Sequence, residues 1–244
     1  MKLSTPILQW LWYLSSPIFL LSIPQALYLK KTALRLPEAT GNNTLYIGDP
    51  DTYLKILHIG ESTVAGVGVE TLSQGISHHL THELHINSNG QGFHCHMQGN
   101  NGIRMTELNH HLSKYKGTAD LAIVTMGVND TTGLTSLKTW KTEIQKSIKL
   151  LRQKGAQHIF FMQVPPMAKF PALPAPLKYL LGLRAALLDK QLRITCESQN
   201  CVHYVCSELP ISSEFMAIDG YHPNELGYKT WAQQIAPQIL KHLR

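Results

Sequence analysis

Three polar residues in two distant stretches have the types and spacing that nucleophilic chemistry requires. Ser62 ends the run "ILHIGES" (56–62), and Asp219 and His222 lie three residues apart in "DGYH" (219–222). A serine becomes nucleophilic when an imidazole accepts its proton, and a carboxylate can hold that imidazole in the required tautomer. The sequence therefore predicts a nucleophile, a base and an orienting acid, provided that the fold joins the two stretches.

The glycines near Ser62 suggest other motifs, but each of these motifs lacks a required residue. Gly68 is not followed by the lysine of a P-loop, and Gly66 and Gly68 lack the third glycine of a dinucleotide fingerprint. Val64 stands where the G-x-S-x-G elbow needs glycine. The stretch is therefore interpreted through its serine and not as a phosphate cradle.

Two further stretches carry groups that can stabilise negative charge on an oxygen atom. "MGVND" (126–130) supplies the side-chain amide of Asn129, and "GNNGIRM" (99–105) supplies Gly102, whose backbone N–H is unobstructed by a side chain. Each stretch follows a predicted strand, where ligands of a parallel sheet bind.

Apolar strand patterns alternate with helical patterns from residue 54 onward, which is typical of parallel βαβ units. Such units place the ends of neighbouring strands on one edge of the sheet, so the four polar stretches are expected to meet there. The predicted strands are 54–59, 93–98, 120–127, 158–164 and 202–205, and the predicted helices are about 72–86, 104–115, 135–153, 177–199 and 224–242.

The ordered set of polar stretches resembles the blocks of the SGNH hydrolases, the GDSL-type esterase/lipase family. The resemblance rests on Gly60-Glu61-Ser62, on Gly102, on Gly127-Val128-Asn129-Asp130 and on Asp219-x-x-His222. It implies an α/β fold, namely a three-layer α/β/α flavodoxin-like domain with a mostly parallel five-stranded sheet. Glu61 departs from the aspartate usual in the family and is one methylene longer, so the hydrogen bonds that hold the serine loop are expected to shift.

The resemblance also implies an activity and roles for the residues. Ser62, Asp219 and His222 would form a catalytic triad for ester hydrolysis without a metal or another cofactor. The backbone N–H groups of Ser62 and Gly102, with the Asn129 side chain, would form the oxyanion hole. The substrate would be a small-molecule or lipid ester, such as a short acyl ester or a lysophospholipid.

Two other functions stay open on the sequence alone. A carbohydrate O-deacetylase would use the same fold and the same residues, and a catalytically silent, membrane-tethered binding protein could keep the fold. Phe170 and Leu173 lie in a proline-rich apolar stretch (165–183) that either lines an acyl pocket or is a packed connection.

Composition restricts the partners. The net charge of +6 favours anionic surfaces such as phospholipid, but no basic stripe interleaved with aromatic residues is present, so nucleic acid is not expected. His78, His82 and His85 share a helical face without an H-E-x-x-H motif, and a solvated face is preferred to a metal site. The sequence does not indicate an oligomeric state.

The first residues differ in composition from the rest of the chain. We expect a membrane-associating segment over 1–35, a linker over 36–53 and the hydrolase domain over 54–244. No charged residue occurs between Lys2 and Lys30, and three aromatic residues stand at 10, 12 and 13. This pattern favours membrane contact through residues 6–29, with the catalytic domain on the cytoplasmic side if the segment spans. A helix packed on the domain and a signal peptide are the alternatives.

Overall fold

The computed structural model describes residues 5–207 and 211–243, so residues 1–4, 208–210 and 244 of the predicted segments lie outside it. In the described part, six strands form one sheet in the spatial order β1-β3-β2-β4-β5-β6. The strands are β1 (Thr44–Ile47), β2 (Leu54–Gly60), β3 (Phe93–Gly99), β4 (Leu121–Thr125), β5 (His158–Met162) and β6 (Val202–Val205).

The five predicted strands, β2 to β6, pair in parallel, which confirms the predicted α/β fold. The pairing register places Gly60 opposite Gly99 on one side and opposite Thr125 on the other. The chain segments that leave β2, β3 and β4 therefore begin side by side at the carboxyl ends of these strands, where a binding site is expected in a parallel sheet.

The sixth strand lies where a linker was predicted. Thr44–Ile47 pairs antiparallel with β3 at the edge of the sheet, so part of residues 36–53 belongs to the domain. The strand is only four residues long and lies between turn-forming Gly, Asn and Asp residues. Those residues are typical of loops, and a pattern of four residues is too short to outweigh them.

Helices cover both faces of the sheet and produce the three layers. One core lies between the sheet and the helices that follow β3, β4 and β5. The other lies between the sheet and the two helices that follow β2 and β6. In β2, β4 and β5 alternate residues point into the two cores, as in β4, where Leu121 and Ile123 face one and Ala122 and Val124 the other. The helices of the domain are α3 (Ile76–Ile86), α4 (Met105–Lys114), α5 (Val128–Thr132), α6 (Leu137–Gln153), α7 (Leu177–Glu197) and α8 (Glu225–Leu240).

One helix and one strand differ from the prediction near the site. The helix expected from residue 72 begins at Ile76, after a short 3₁₀ turn at Leu72–Gln74, so the serine loop runs over residues 61–71. The strand expected to continue to residue 127 ends at Thr125, and Asn129 lies in the first turn of α5. The glycines in both stretches allow tight turns where an apolar pattern alone predicts a longer element.

Two more helices, α1 (Thr5–Leu14) and α2 (Ser16–Thr32), precede the sheet and contact α7. Among the described residues, a membrane-crossing length of apolar helix is reached only when the two are counted together, and they meet at a bend of 72°. Both helices follow from the apolar composition of this segment. The contact of α2 with α7 places α2 near the carboxyl ends of the strands, where Ser62 lies.

Candidate active site

The serine loop leaves β2 through a glycine that the packing requires. A Cβ atom on Gly60 would lie 2.4 Å from the carbonyl oxygen of Thr125, so a side chain cannot fit between the two strand ends. Beyond it, the N–H of Val67 donates to the carbonyl of Ser62 over 3.0 Å, and the N–H of Ala65 donates to that of Glu61 over 3.1 Å. This tight turn holds Ser62, which is buried, against the sheet edge.

The loop of Asp219 and His222 forms its own hydrogen-bonded turn before α8. One carboxylate oxygen of Asp219 accepts hydrogen bonds from the backbone N–H groups of Tyr221 and His222, at 2.9 and 3.1 Å. The other oxygen lies 2.6 Å from Nδ1 of His222. The three-residue spacing thus gives the carboxylate both the backbone and the imidazole as partners, which fixes the orientation of the ring.

The serine loop and the His222 loop pack directly against each other. A Cβ atom on Gly68, whose φ is +105°, would lie 2.3 Å from the carbonyl oxygen of Pro223. The hydroxyl of Tyr228 in α8 donates to the carbonyl of Val67 over 2.6 Å. These contacts place Nε2 of His222 2.9 Å from Oγ of Ser62, so the three predicted residues meet in one hydrogen-bonded series.

Asp219 remains ionised in this setting despite its burial. Burial alone would raise its pKa, but the hydrogen bonds from the His222 ring and from the backbone N–H groups of Tyr221 and His222 outweigh this and hold the pKa below its usual value. A carboxylate in that state keeps the proton of the ring on Nδ1. The Nε2 atom is then left as the acceptor that faces Ser62.

Asn129 is held by the residue next to the serine. Its side-chain Nδ2 donates to one carboxylate oxygen of Glu61 over 2.6 Å, and its backbone N–H donates to the same oxygen over 3.0 Å. The other oxygen of Glu61 accepts from the N–H of Val128 over 2.9 Å. An amide nitrogen carries two hydrogens, so one anchors Asn129 and the second can point into the site. Glu61 therefore fixes the first turn of α5 and the Asn129 amide.

Glu61 is the second buried carboxylate of the site, and its protonation differs from that of Asp219. Burial raises the pKa of Glu61 to about 7, against its hydrogen bonds from Asn129 and Val128, and the charge of Asp130 adds to the increase. Both of its oxygens accept N–H groups, which favours the ionised form and opposes the effect of burial. Its proton equilibrium therefore lies close to neutral pH.

Gly102 lines the same cavity as Ser62 and has a φ of +83°. The loop around it is held by Asp130, whose carboxylate accepts the N–H of Met105 at the start of α4 over 3.0 Å. Gly99, the other glycine of that stretch, has a different function. A Cβ atom there would lie 2.0 Å from the nitrogen of Ala65, so Gly99 allows the strand end to pack against the serine loop.

Ser62 opens into a cavity of about 660 Å³ with two different walls. The polar wall includes Ser62, Gly102, Asn129 and His222. The apolar wall includes both residues predicted to bind substrate, Phe170 and Leu173, which are buried at its surface. Its members include Phe19, Ala26, Met167, Phe170, Leu173 and Leu177.

Three features of this site were not predicted from the sequence. Glu61 was expected to shape the serine loop, but its bond to Asn129 joins two stretches that are far apart in the chain. Asp130 was quoted only as part of a motif, and its bond to Met105 depends on the fold. The sequence left membrane contact and packing on the domain open for the segment around α2, and it did not indicate that Phe19 and Ala26 line the cavity. Its apolar pattern is compatible with either environment.

A family model described as GDSL-like Lipase/Acylhydrolase matches residues 58–230, which is more than half of the chain and includes Ser62, Asn129, Asp219 and His222. The chain belongs to the GDSL-like lipase/acylhydrolase family. An ester hydrolase is therefore the class of enzyme that its membership indicates. The family match begins inside β2, so α1, α2 and β1 precede it. No curated protein sequence matches the chain.

Solved structures of a GDSL-like lipase and of two esterases share the fold. A protein assigned as a GDSL-like lipase from Bacteroides ovatus superposes with a TM-score of 0.60 at 18% identity, over 80% of this chain and 55% of that one. The psychrotrophic esterase EstA from Pseudoalteromonas sp., inhibited by monoethylphosphonate, gives 0.58 at 18%, over 78% and 98%. A family two carbohydrate esterase from Clostridium thermocellum, in complex with cellohexaose, gives 0.53 at 16%, over 78% and 64%.

Proposed function

We propose that this GDSL-family chain is a serine hydrolase that cleaves carboxylic esters of apolar acyl chains through an acyl-enzyme. The observation that carries the proposal is the hydrogen-bonded series Ser62–His222–Asp219, which opens into a largely apolar cavity. The bond lengths of 2.9 and 2.6 Å are those of a nucleophile joined to its base and of a base joined to its orienting acid.

In the first half of the reaction, Oγ of Ser62 attacks the ester carbonyl carbon while Nε2 of His222 accepts the hydroxyl proton. Asp219 stabilises the imidazolium that forms. The backbone N–H groups of Ser62 and Gly102 and the free amide hydrogen of Asn129 donate to the tetrahedral oxyanion. When the intermediate collapses, the bond to the alcohol oxygen breaks and His222 returns the proton to the leaving alcohol.

In the second half, a water molecule attacks the acyl-enzyme and His222 accepts its proton. The same donors stabilise the second tetrahedral intermediate, which collapses to release the carboxylic acid and regenerate Ser62. Each proton that His222 accepts is returned within its own half-reaction. The chemistry therefore balances with the ester and water as the only reactants.

The apolar wall supports an acyl chain as the group bound beside Ser62. Phe170, Leu173 and Leu177 present hydrocarbon surface there, and an apolar chain gains free energy when it leaves water for such a surface. A carbohydrate O-deacetylase would bind sugar hydroxyl groups through polar side chains, and Asn101, Arg104 and Gln163 do line the cavity. Most of the lining surface is nevertheless apolar, which suits an acyl chain better than a sugar. We therefore place the deacetylase second, and an ester panel separates the two.

The decisive experiment compares Ser62→Ala with Ser113→Ala, a matched change at an exposed serine at the end of α4. We expect Ser62→Ala to keep the fold, to lose hydrolysis of p-nitrophenyl esters and to escape labelling by a fluorophosphonate probe. Ser113→Ala should retain both. A folded Ser62→Ala protein with undiminished turnover would refute the proposal, and wild-type protein inert to probe and esters would indicate the silent binding protein.

A further inference from the structure

The helix α2 has one face that belongs to the cavity of the hydrolase site. Phe19, Ala26 and Leu29 line the cavity, and their spacing of seven and three residues places them on one side of the helix. Ala33, the residue that follows the helix, also lines the cavity, which brings the set to four. We call these four residues the inner face. The inner face therefore forms part of the surface that a bound acyl chain would touch.

The opposite side of α2 is equally apolar but faces outward. Leu20, Leu21 and Tyr28, which we call the outer face, are 64%, 82% and 67% exposed. On α1, Trp10 and Tyr13 are 68% and 70% exposed. A helix that is apolar all round is normally covered on every side, and a contiguous exposed apolar surface usually marks an interaction site.

The residues around the outer face favour a lipid surface over a second copy of the chain. Lys30 and Lys31 stand in the last turn of α2 and Arg35 follows it, all exposed, which suits the phosphate groups of anionic lipid. Exposed Trp and Tyr rings beside a leucine-rich face are typical of the boundary between hydrocarbon and headgroups. A second copy of this chain carries a net charge of +6, which does not complement these basic residues.

The cavity opens beside this surface. Leu27 and Lys30 of α2 line the cavity and are also exposed, so the edge of α2 borders the mouth. The helix is fixed there by Gln25, whose side chain donates to the carbonyl of Ala175 over 3.0 Å and accepts the N–H of Leu177 over 3.3 Å. These bonds join α2 to the stretch that carries the apolar wall.

We propose that α1 and α2 form a lipid-docking cap. The outer face enters the surface of an anionic phospholipid membrane, and the inner face receives the long acyl chain of a membrane ester at the cavity mouth. The substrate class is therefore a long-chain acyl ester of a membrane amphiphile, taken from the lipid surface without passing through water. The substrate part rests on the proposed hydrolase function, whereas the docking part does not.

Docking is tested without catalysis, in full-length Ser62→Ala protein. Vesicles of equal parts phosphatidylglycerol and phosphatidylcholine, and of phosphatidylcholine alone, are sedimented with the protein. We expect the protein to bind the anionic vesicles more strongly. Adding Leu20→Glu and Leu21→Glu should lower the partition by roughly tenfold or more, because both positions would lose their apolar contact with lipid. Ile86→Glu, an exposed isoleucine at the end of α3, is the matched control and should not change binding.

The link to catalysis is tested with Ser62 intact. The outer-face pair of substitutions should leave turnover of soluble p-nitrophenyl acetate unchanged and reduce hydrolysis of a long-chain ester carried in the anionic vesicles by about tenfold or more. On the inner face, Ala26→Phe fills the cavity and should shift the preferred acyl chain to shorter lengths without changing vesicle binding. If Ala26→Phe fails to fold, Ala26→Leu makes the same test.

Several results would overturn the proposal. Docking is refuted if the Ser62→Ala protein ignores anionic vesicles, or if the outer-face substitutions leave sedimentation unchanged. A dimer seen by light scattering without lipid, and lost in the outer-face variant, would assign this surface to a second copy. Normal docking with an unchanged vesicle-ester rate would refute the coupling of cap to cavity. If the wild-type protein docked normally but hydrolysed no ester, only the hydrolase assignment would be refuted.

Discussion

The two walls of the cavity are held in place by different forces. On the polar wall, Ser62, His222 and Asn129 are positioned by directional hydrogen bonds of 2.6 to 2.9 Å to neighbours with matching donors and acceptors. On the apolar wall, Phe170 and Leu173 are positioned by packing, which is non-directional and tolerates changes of shape. The first wall is therefore expected to set the rate for every ester, and the second to choose among esters.

The largest effect on this contrast should come from Asp219. Asp219→Asn leaves the shape of the loop nearly unchanged but removes the charge that keeps the His222 proton on Nδ1. We expect kcat to fall by about 10³ to 10⁴ for short and long esters alike, because His222 would no longer present Nε2 as an acceptor. Steady-state assays with p-nitrophenyl acetate and with a long-chain ester measure kcat for the short and the long substrate.

Asp51→Asn, at an exposed position of a short turn, is the control and should leave the rates unchanged. If Asp219→Asn lowered kcat only for esters of one acyl length, the polar wall would determine more than the rate. Such a result would mean that the His222 loop also selects the acyl chain.

The next effect concerns Asn129. Asn129→Ala removes a proposed oxyanion donor and also the partner of Glu61, and we expect kcat to fall by about 10² to 10³ while KM changes little. The exposed Asn200→Ala serves as the matched control. A rise in KM at constant kcat would place Asn129 in ground-state binding and not in transition-state stabilisation.

Glu61, which holds Asn129 on the polar wall, should make the stability of the protein depend on pH. Its pKa of about 7 in the folded protein lies above its ordinary value of 4.5, so the folded state binds this proton more tightly than the unfolded chain does. The contribution of Glu61 to the free energy of unfolding is therefore largest below pH 4.5. It should fall by up to a few kcal/mol as the pH rises to about 7 and then stay level.

Glu61→Gln removes the titrating group and isolates this dependence. Urea unfolding of both proteins at pH 5, 6, 7 and 8 should show wild type losing stability relative to the variant between pH 5 and 7. The free energy of unfolding of the variant should also differ from that of wild type by an amount that does not depend on pH, because the amide nitrogen of Gln faces the N–H donors of Val128 or Asn129. Parallel stability curves would show that Glu61 keeps one protonation state across this range.

The same contrast explains how much could be predicted from the sequence. The parallel strands and the meeting of Ser62 with Asp219 and His222 follow from local patterns and from the rule that ligands bind beyond the carboxyl ends of parallel strands. The sequence left open whether Phe170 lines a pocket or packs in a connection, and in the structure it does both. The bond between Glu61 and Asn129 joins residues 68 positions apart, and no local pattern indicates it.

The walls also differ in how the sequence indicates their origin. The polar wall comes from stretches that carry recognisable motifs, whereas part of the apolar wall comes from α2, whose even distribution of apolar residues has no periodic stripe to show its packed side. The antiparallel strand Thr44–Ile47 was missed for a related reason, because its stability comes from pairing with β3 and not from its own four residues.

The smallest effect should come from Leu173 on the apolar wall. Leu173→Ala lengthens the cavity and Leu173→Phe shortens it, so the preferred acyl chain should move in opposite directions, with discrimination between neighbouring lengths changing by about tenfold. Acetate turnover should stay near the wild-type value, since a two-carbon acyl group is held beside Ser62 by the polar wall alone. Leu226→Ala, at an exposed position of α8, should change neither property. If both Leu173 variants instead lowered kcat equally for all chain lengths, packing at this wall would be fixing the position of the polar wall, and the two could no longer be treated as independent.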